Sequence, residues 1–348
     1  MTRRREFVVG ITGINSSDNP GPGVGVARSL KLADDVDVRL VGLAYDAMET
    51  GIYLESLFHS TFIIPYVSAG GEALLERLRY IRSVSGLDFI IPTLDVELPV
   101  FSLLEATLTR EGIGTFLPTA EQFRLRGKDR LVEVAPAIGL SLPRTVVVAS
   151  FEAFFPALEE LTFPVMVKGA HYGALRAYTP EEAIAHFHTL VAQWGYPILV
   201  QETVTGDEIN LIGVGDGLGG DLGHVSMKKI WTTAMGKVWT AVTVHNDPMA
   251  QAARRFTETY RWRGAFELEC IADGDDVTLI EINPRFPAWC YFAAAVGVNL
   301  PAAMIRAARD LPALPVADFA AGRLFVRTIE ERVTDLSTFQ KMVTRGEA

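Results

Sequence analysis

Glu281, Asn283 and Arg285 stand at every second position in "VTLIEINPRFPAW", residues 277–289. Side chains two apart on a strand share a face, so a carboxylate, an amide and a guanidinium line one side of a strand end. An earlier stretch, "GAFELECI", offers Glu267 and Glu269 at the same spacing, and "ADGDD" at 272–276 reads as the turn of a hairpin joining the two. The carboxylates then converge across the hairpin. Two carboxylates and an amide oxygen suit a hard cation such as Mg2+, which completes its shell with water and substrate phosphates. Arg285, just past them, has the fork geometry to hold an oxyanion through two hydrogen bonds. A salt-bridged strand end uses the same residue types without chemistry, so these residues need further company to read as a site.

The elements that must position them follow from the hydrophobic pattern. The first third alternates short apolar strands at 7–12, 38–43, 61–65 and 88–93 with helical patterns at 24–33, 71–85 and 97–110. Such βαβ alternation predicts a parallel sheet flanked by helices, an α/β Rossmann-like domain over 1–118. From about 119 the pattern becomes α+β and mostly antiparallel. A helix at 128–138 and strands at 144–149, 164–169 and 174–178 precede a helix at 180–193, giving a small central unit over 119–199. Strands at 197–202, 208–214, 224–231, 237–244, 264–271 and 277–282, with helices at 248–261, 285–296 and 301–309, give a C-terminal antiparallel-sheet unit over 200–348.

Bulk properties narrow the function. The chain has 348 residues, 49% of them hydrophobic and 21% charged, enough for two or three packed lobes. Its net charge of −10 argues against a duplex nucleic-acid binder, which needs a basic stripe to displace counterions. A local pocket of Lys and Arg still suffices for one nucleotide. Two cysteines, Cys270 and Cys290, make neither a disulfide framework nor a zinc site, so a reducing cytoplasm is the default and both read as small core residues. No apolar run reaches the about 18–20 residues of a membrane span. "TRRREFVVG" loosely resembles a twin-arginine signal, but "ITGINSSDNPGPG" follows where an apolar core would be needed.

The Gly-rich loop "NSSDNPGPGVGVARSL" sits between a strand and a helix, where a dinucleotide fingerprint belongs, and Asp46 is about where a ribose-binding acid would be. The spacing fails: counted from Gly21 and Gly23 the third glycine is Val26, and from Gly23 and Gly25 it is Arg28. The loop is read instead as facing a substrate. Ligands of such sheets bind beyond the carboxyl ends of the strands, which also marks Asp95 and Glu97, either as partners of a cationic substrate or as caps of the next helix.

With these residues in view, "RGAFELECIADGDDVTLIEINPRFPAW" resembles the catalytic hairpin of the ATP-grasp superfamily, in the branch holding the carbamoyl-phosphate synthetase large subunit, biotin carboxylase and carboxylate–amine ligases. Other pieces recur in order over nearly the whole chain. The resemblance implies that Lys128 in "RGKDRL" and Lys168 in "FPVMVKG" are the nucleotide-phosphate lysines. In "LVQETVTGDEINL" it implies that Gln201 and the backbone of Glu202 to Val204 meet adenine and that Glu208 meets ribose. Glu269, rather than Glu267, would join Glu281 and Asn283 as metal ligand, with Glu267 behind them. Of Lys228 and Lys229 only one faces the site by alternation, and Lys229 is favoured; Lys237 competes.

The chain departs from many relatives in a compact lid turn, "KGAHYGALRAY", where His171 is a candidate phosphate or substrate contact, and in a short C-terminal portion. His224 and His245 read as structural. What the resemblance implies is an ADP-forming carboxylate–amine ligase that uses ATP and Mg2+ (two ions, Mn2+ able to substitute) and passes through an acyl phosphate. Arg285 and Lys229 would serve the reacting groups, and Trp289 would wall the substrate pocket or the core. The partners would be a small-molecule or peptide carboxylate and amine, with no nucleic acid and no membrane. A homodimer is expected only because closed symmetric oligomers are common. Bicarbonate as the activated carboxylate, a non-catalytic ATP-binding protein and a nicotinamide oxidoreductase are the competing readings.

Overall fold

The computed structural model describes residues 6–348 apart from Asp18, Asp129, residues 170–172 and residues 234–235. His171 therefore lies outside the described residues.

Three sheets organise the chain. The first joins β1 (Phe7–Ile11), β2 (Val38–Ala44), β3 (Ser60–Ile63) and β4 (Phe89–Ile91), all parallel, in the order β3-β2-β1-β4. Alternation along β1 sorts its side chains. Val8 packs with Leu74, Leu78, Ile81 and Phe101 of the helices at 71–85 and 98–110. Val9 and Ile11 face the helix Gly23–Lys31 through Val26 and Leu30 on the other side. The helix Gly71–Ser85 forms where leucines recur at helical spacing, and it stops at Gly86, whose φ of 76° is the left-handed cap.

The second sheet is small and antiparallel: β5 (Thr145–Val148), β6 (Val165–Gly169), β7 (Ala174–Ala177) and β8 (Ile198–Glu202), in the order β5-β8-β6-β7. The helix Pro180–Trp194 covers it with Ala183, Phe187 and Leu190.

The third sheet carries the acids singled out in the sequence. It holds β9 (Asp207–Asp216), β10 (Asp221–Thr232), β11 (Val238–Thr243), β12 (Arg263–Asp273), β13 (Asp276–Asn283) and β14 (Leu324–Val326), in the order β13-β12-β9-β10-β11-β14. One face is sealed by the helices Leu131–Ile138 and Asp247–Tyr260 over Phe266, Leu268 and Leu279. The opposite face continues into the core of the first sheet through Ile212, Val214, Phe286 and Trp289.

Several boundaries differ from the sequence-based expectation. The division at 199/200 cuts β8, which pairs with β5 and β6 to its end. The helix after Lys128 begins at Leu131 and packs on the third sheet, not the second, because Leu131, Val134 and Ile138 meet Met249 and Phe256. The helix expected at 285–296 is confined to Cys290–Ala295, since Pro284 and Pro287 hold the preceding segment out of helical form. Two C-terminal pieces went unread: β14 on the edge of β11, and the helix Leu336–Arg345, after which Ala348 bonds back to Thr61 of β3.

Candidate active site

The hairpin of β12 and β13 turns at Gly274 and Asp275, between the paired Asp273 and Asp276. Gly274 has φ of 62°, as the first central position of a type II′ turn requires. Glu269 then stands directly opposite Glu281, and Glu267 opposite Asn283.

A bulge makes this arrangement possible. Pairing steps from Cys270–Leu279 to Glu269–Glu281, leaving Ile280 with no opposite residue. Before the bulge the core side of β13 belongs to Val277 and Leu279; after it, Ile282 takes that side. Without the extra residue, Glu281 and Asn283 would point into the apolar core with Leu279, because a one-residue slip reverses every later side chain. The bulge turns them onto the face of Glu267 and Glu269.

On that face Glu267 is nearly fully buried and amply bonded. It accepts from Asn210 Nδ2 at 2.8 Å, Trp289 Nε1 at 2.7 Å and Asn283 Nδ2 at 3.1 Å. Burial, then the neighbouring charge of Glu269, pushes its carboxyl up. Glu269 is more open. Its burial opposes ionisation, but Lys229, at 3.2 Å, holds the carboxyl below its ordinary value. Burial and the Glu269 charge push Glu281 up, while Lys128 pulls it down.

Five cations surround these acids. Lys128 donates to Gly169 O at 2.9 Å and Lys168 to Gln201 Oε1 at 2.6 Å. Burial, and next the charge of Lys128, lowers the Lys168 ammonium to about 8, with Glu281 and Glu269 opposing. Lys229 reaches Glu269 and, at 3.3 Å, Glu208; despite the cost of burial these carboxylates raise its pKa. Lys228 instead pairs with Asp207 at 2.7 Å, so the alternation along β10 turns Lys229, not Lys228, toward the acids. Arg285 donates Nε to Asp95 Oδ2 at 2.7 Å and Nη2 to Asn283 Oδ1 at 3.3 Å. Lys237 has its pKa lowered by burial and then by the charge of Arg285.

In the nucleotide segment, Gln201 is engaged at both ends, by Lys168 and by Thr145 Oγ1 at 2.8 Å. The Glu202 N–H bonds Arg144 O and the Thr203 N–H bonds Pro164 O. The Val204 N–H has no partner among the described residues.

Sequence reading missed the role of Asp95. It meets Arg285 and, at 2.7 Å, Arg126, so its cation belongs to the protein rather than to a substrate. No local motif links residues 190 positions apart. Glu97 makes no side-chain cap; it is buried and accepts from Thr12, Tyr45 and the N–H groups of Thr93 and Leu94. In the Gly-rich loop the glycines serve close packing: a Cβ on Gly23 would lie 2.1 Å from Thr12 O, and one on Gly25 3.0 Å from Cys290 Sγ. Both cysteines are buried, and burial pushes Cys290 up to about 12. His224 bonds Asp221 at 2.6 Å and His245 packs on Phe319, both structural placements.

No three His, Cys, Asp or Glu residues cluster as a metal site among the described residues. The fitting donor set is two carboxylates and an amide, Glu269, Glu281 and Asn283. All three offer oxygen, and the mutual repulsion that raises Glu281 is what a divalent cation between the carboxylates would relieve.

Comparison with known proteins places the fold. Residues 197–330 match the family model described as ATP-grasp in the biosynthetic pathway with Ter operon. Over 173 residues the chain is 20% identical to the carbamoyl phosphate synthase large chain of Clostridium acetobutylicum, covering 45% of this chain and 16% of that relative. It thus spans a small part of that protein. The fold is similar to the biotin carboxylase domain of Hydrogenobacter thermophilus 2-oxoglutarate carboxylase, solved with MgADP, ADP and bicarbonate, with a TM-score of 0.68 and 16% identity over 92% of this chain and 74% of that one. It is also similar to N5-carboxyaminoimidazole ribonucleotide synthetase from Thermus thermophilus, with a TM-score of 0.66 and 17% identity over 91% and 81%. The chain has the ATP-grasp fold and carries an ATP-grasp domain. No helix among the described residues is long and apolar enough to cross a membrane.

Proposed function

We propose that the chain is an ATP-dependent carboxylate–amine ligase that releases ADP and phosphate. A substrate carboxylate oxygen attacks the γ-phosphorus of ATP, the bond from that phosphorus to the β-bridging oxygen breaks, and ADP leaves. The amine then attacks the acyl carbon of the acyl phosphate, inorganic phosphate leaves, and the amine's proton is lost as the amide forms. The observation that carries this reading is the Glu269–Glu281 pair set opposite each other between Lys128, Lys168 and Lys229.

Lys128 and Lys168 take the phosphates as point charges. Gln201, Glu202 and Val204 line the adenine, with the open Val204 N–H as the backbone donor, and Glu208 takes the ribose hydroxyls. Glu269, Glu281 and Asn283 would hold Mg2+ (two ions, with Mn2+ able to substitute), which would supply positive charge to neutralise the phosphates. Arg285, aimed by Asp95, binds the substrate carboxylate and then the oxyanion that develops at the acyl carbon. Lys229 sits beside Glu269 where the γ-phosphate charge would gather.

The deciding measurement is product analysis with MgATP, pooled amino acids and small carboxylic acids, wild type against Glu281→Gln. ADP and phosphate, formed only by the wild type and only with the pool, support the reading. AMP and pyrophosphate overturn it. The similarity to a carboxylase domain solved with bicarbonate favours a second reading in which bicarbonate is the activated carboxylate; ADP release that needs bicarbonate and no organic acid selects it.

A further inference from the structure

A cavity of about 750 Å³ borders the segment after the β12–β13 hairpin, at Ala288, Tyr291 and Phe292. Its walls are the Gly-rich loop and the start of the helix Gly23–Lys31, then the helix Cys290–Ala295, and then the strand β14 with its flanks. Arg28, Arg323 and Arg327 line it, and among the described residues no Asp or Glu does. In a chain with 42 acidic residues against 32 basic ones, this is a marked local reversal of charge.

None of the three arginines has a carboxylate partner among the described residues. Arg28 has its guanidinium carbon over the Tyr291 ring, 3.7 Å from the centroid, a contact that favours its charge without neutralising it. Arg327 donates only to backbone carbonyls, Val238 O at 3.2 Å and Ala288 O at 3.0 Å. Burial, with the like charge of Arg28 also acting, makes its protonated form less favourable than usual. The helix Gly23–Lys31 points its N-terminus at the same space, with no side-chain cap and no acid in its first turn; Val24 and Gly25 line the wall there. Fixed arginines and an uncapped helix N-terminus both favour an anion. The volume is that of a metabolite site rather than of an inorganic ion.

We propose that this cavity binds the acidic substrate of the ligation, a small molecule bearing a phosphate monoester or paired carboxylates besides the carboxylate that reacts. Its role as substrate rests on the ligase reading above; its preference for anions rests on the cavity alone. The Gly-rich loop then has its use. It brings a helix N-terminus to an anion other than a dinucleotide, as the failed dinucleotide spacing already implied.

The test is calorimetric titration of the full chain, without ATP, using glycerol 3-phosphate, tricarballylate and, as the uncharged probe, glycerol. Arg28→Gln/Arg323→Gln removes two exposed guanidinium groups, and its unchanged MgATP affinity certifies the fold. The expected result is binding of at least one anion, weakening with salt, no binding of glycerol, and a loss on the order of 10²-fold in the double variant, as for two charge-assisted hydrogen bonds. Tighter binding of the phosphate or of the tricarboxylate identifies which acid the site takes. No anion binding, or equal binding by the double variant, overturns the proposal. Anion binding in a protein that never releases ADP overturns the ligase reading and leaves the anion site standing, so the two failures are distinguishable.

Discussion

Arg285 Nε donates to Asp95 Oδ2 at 2.7 Å, joining the segment after the β12–β13 hairpin to the loop after β4 in the first sheet. Arg126 approaches the same carboxylate at 2.7 Å from a third segment. Burial disfavours the Asp95 charge, yet the two guanidinium groups hold its carboxyl below the ordinary value. Asp95 therefore fixes the direction of the Arg285 guanidinium, to which the proposed reaction gives the reacting carboxylate.

Asp95→Asn keeps the shape and removes the charge. We expect turnover to fall about 10²-fold through loss of orientation, and stability to fall by about 2 kcal/mol, less than for a fully buried pair. A carboxylate depressed in the folded state stabilises above its unfolded pKa and loses that contribution as pH falls. Wild-type stability should thus decline more steeply below about pH 4 than that of the variant. Urea titrations across pH 3–7 read this directly; parallel curves would refute it.

Lys168 gives the opposite pH window. Its ammonium is lowered to about 8 in the folded chain, from 10.5. Between these values the unfolded state binds more protons, so the Lys168 contribution to stability rises with pH across about 8 to 10.5. Phosphates beside Lys168 would favour its charged form. Nucleotide binding near pH 8.5 should then take up a proton, and affinity should fall as pH rises past 8. Titrations of MgATP in buffers of different ionisation enthalpy measure that uptake, and Lys168→Met should abolish it.

Glu281→Gln separates function from folding. The carboxyl of Glu281 is raised by burial and by the Glu269 charge opposite it, so removing its own charge relieves repulsion in the protein without ligands. We expect a melting temperature equal to or above that of the wild type, loss of the Mg2+ dependence of nucleotide binding, and turnover down at least about 10²-fold from lost transition-state charge stabilisation. A variant that is less stable and keeps its turnover would contradict both the repulsion and the proposed metal role.

The parallel first sheet was legible in the sequence because βαβ alternation leaves apolar runs that only a covered sheet can bury. The hairpin was legible because Asp-Gly marked its turn and the acids kept their spacing of two. What could not be read was the bulge at Ile280. "VTLIEIN" looks like one strand, and strict alternation puts Leu279 and Glu281 on the same face, whereas the structure puts them on opposite faces. A bulge is settled by packing on both sides of a sheet and leaves no local residue signature here. The Asp95–Arg285 pair and the arginine cavity depend on segments that meet only after folding. β14 escaped notice because it is three residues long and largely exposed.

Glu267 shows how the acids are graded. It shares a face with Glu269 and has the same chemistry, but Asn210, Trp289 and Asn283 occupy its oxygens, so it has little capacity left for a metal. Its work is to hold Asn283 and the 285–289 segment in place. Trp289→Phe removes one donor from a buried carboxylate and should cost about 1–3 kcal/mol. Glu267→Gln, which relieves the repulsion with Glu269, should cost less and leave Mg2+ affinity within a few-fold. The double variant should be less destabilised than the sum of the two, since both act on the same bond, Trp289→Phe by removing its donor and Glu267→Gln by removing the charge on its acceptor. Urea midpoints for the four proteins give the coupling. Strict additivity would detach Trp289 from Glu267, and a Glu267→Gln protein that had lost its Mg2+ affinity would make Glu267, rather than Glu269, the ligand.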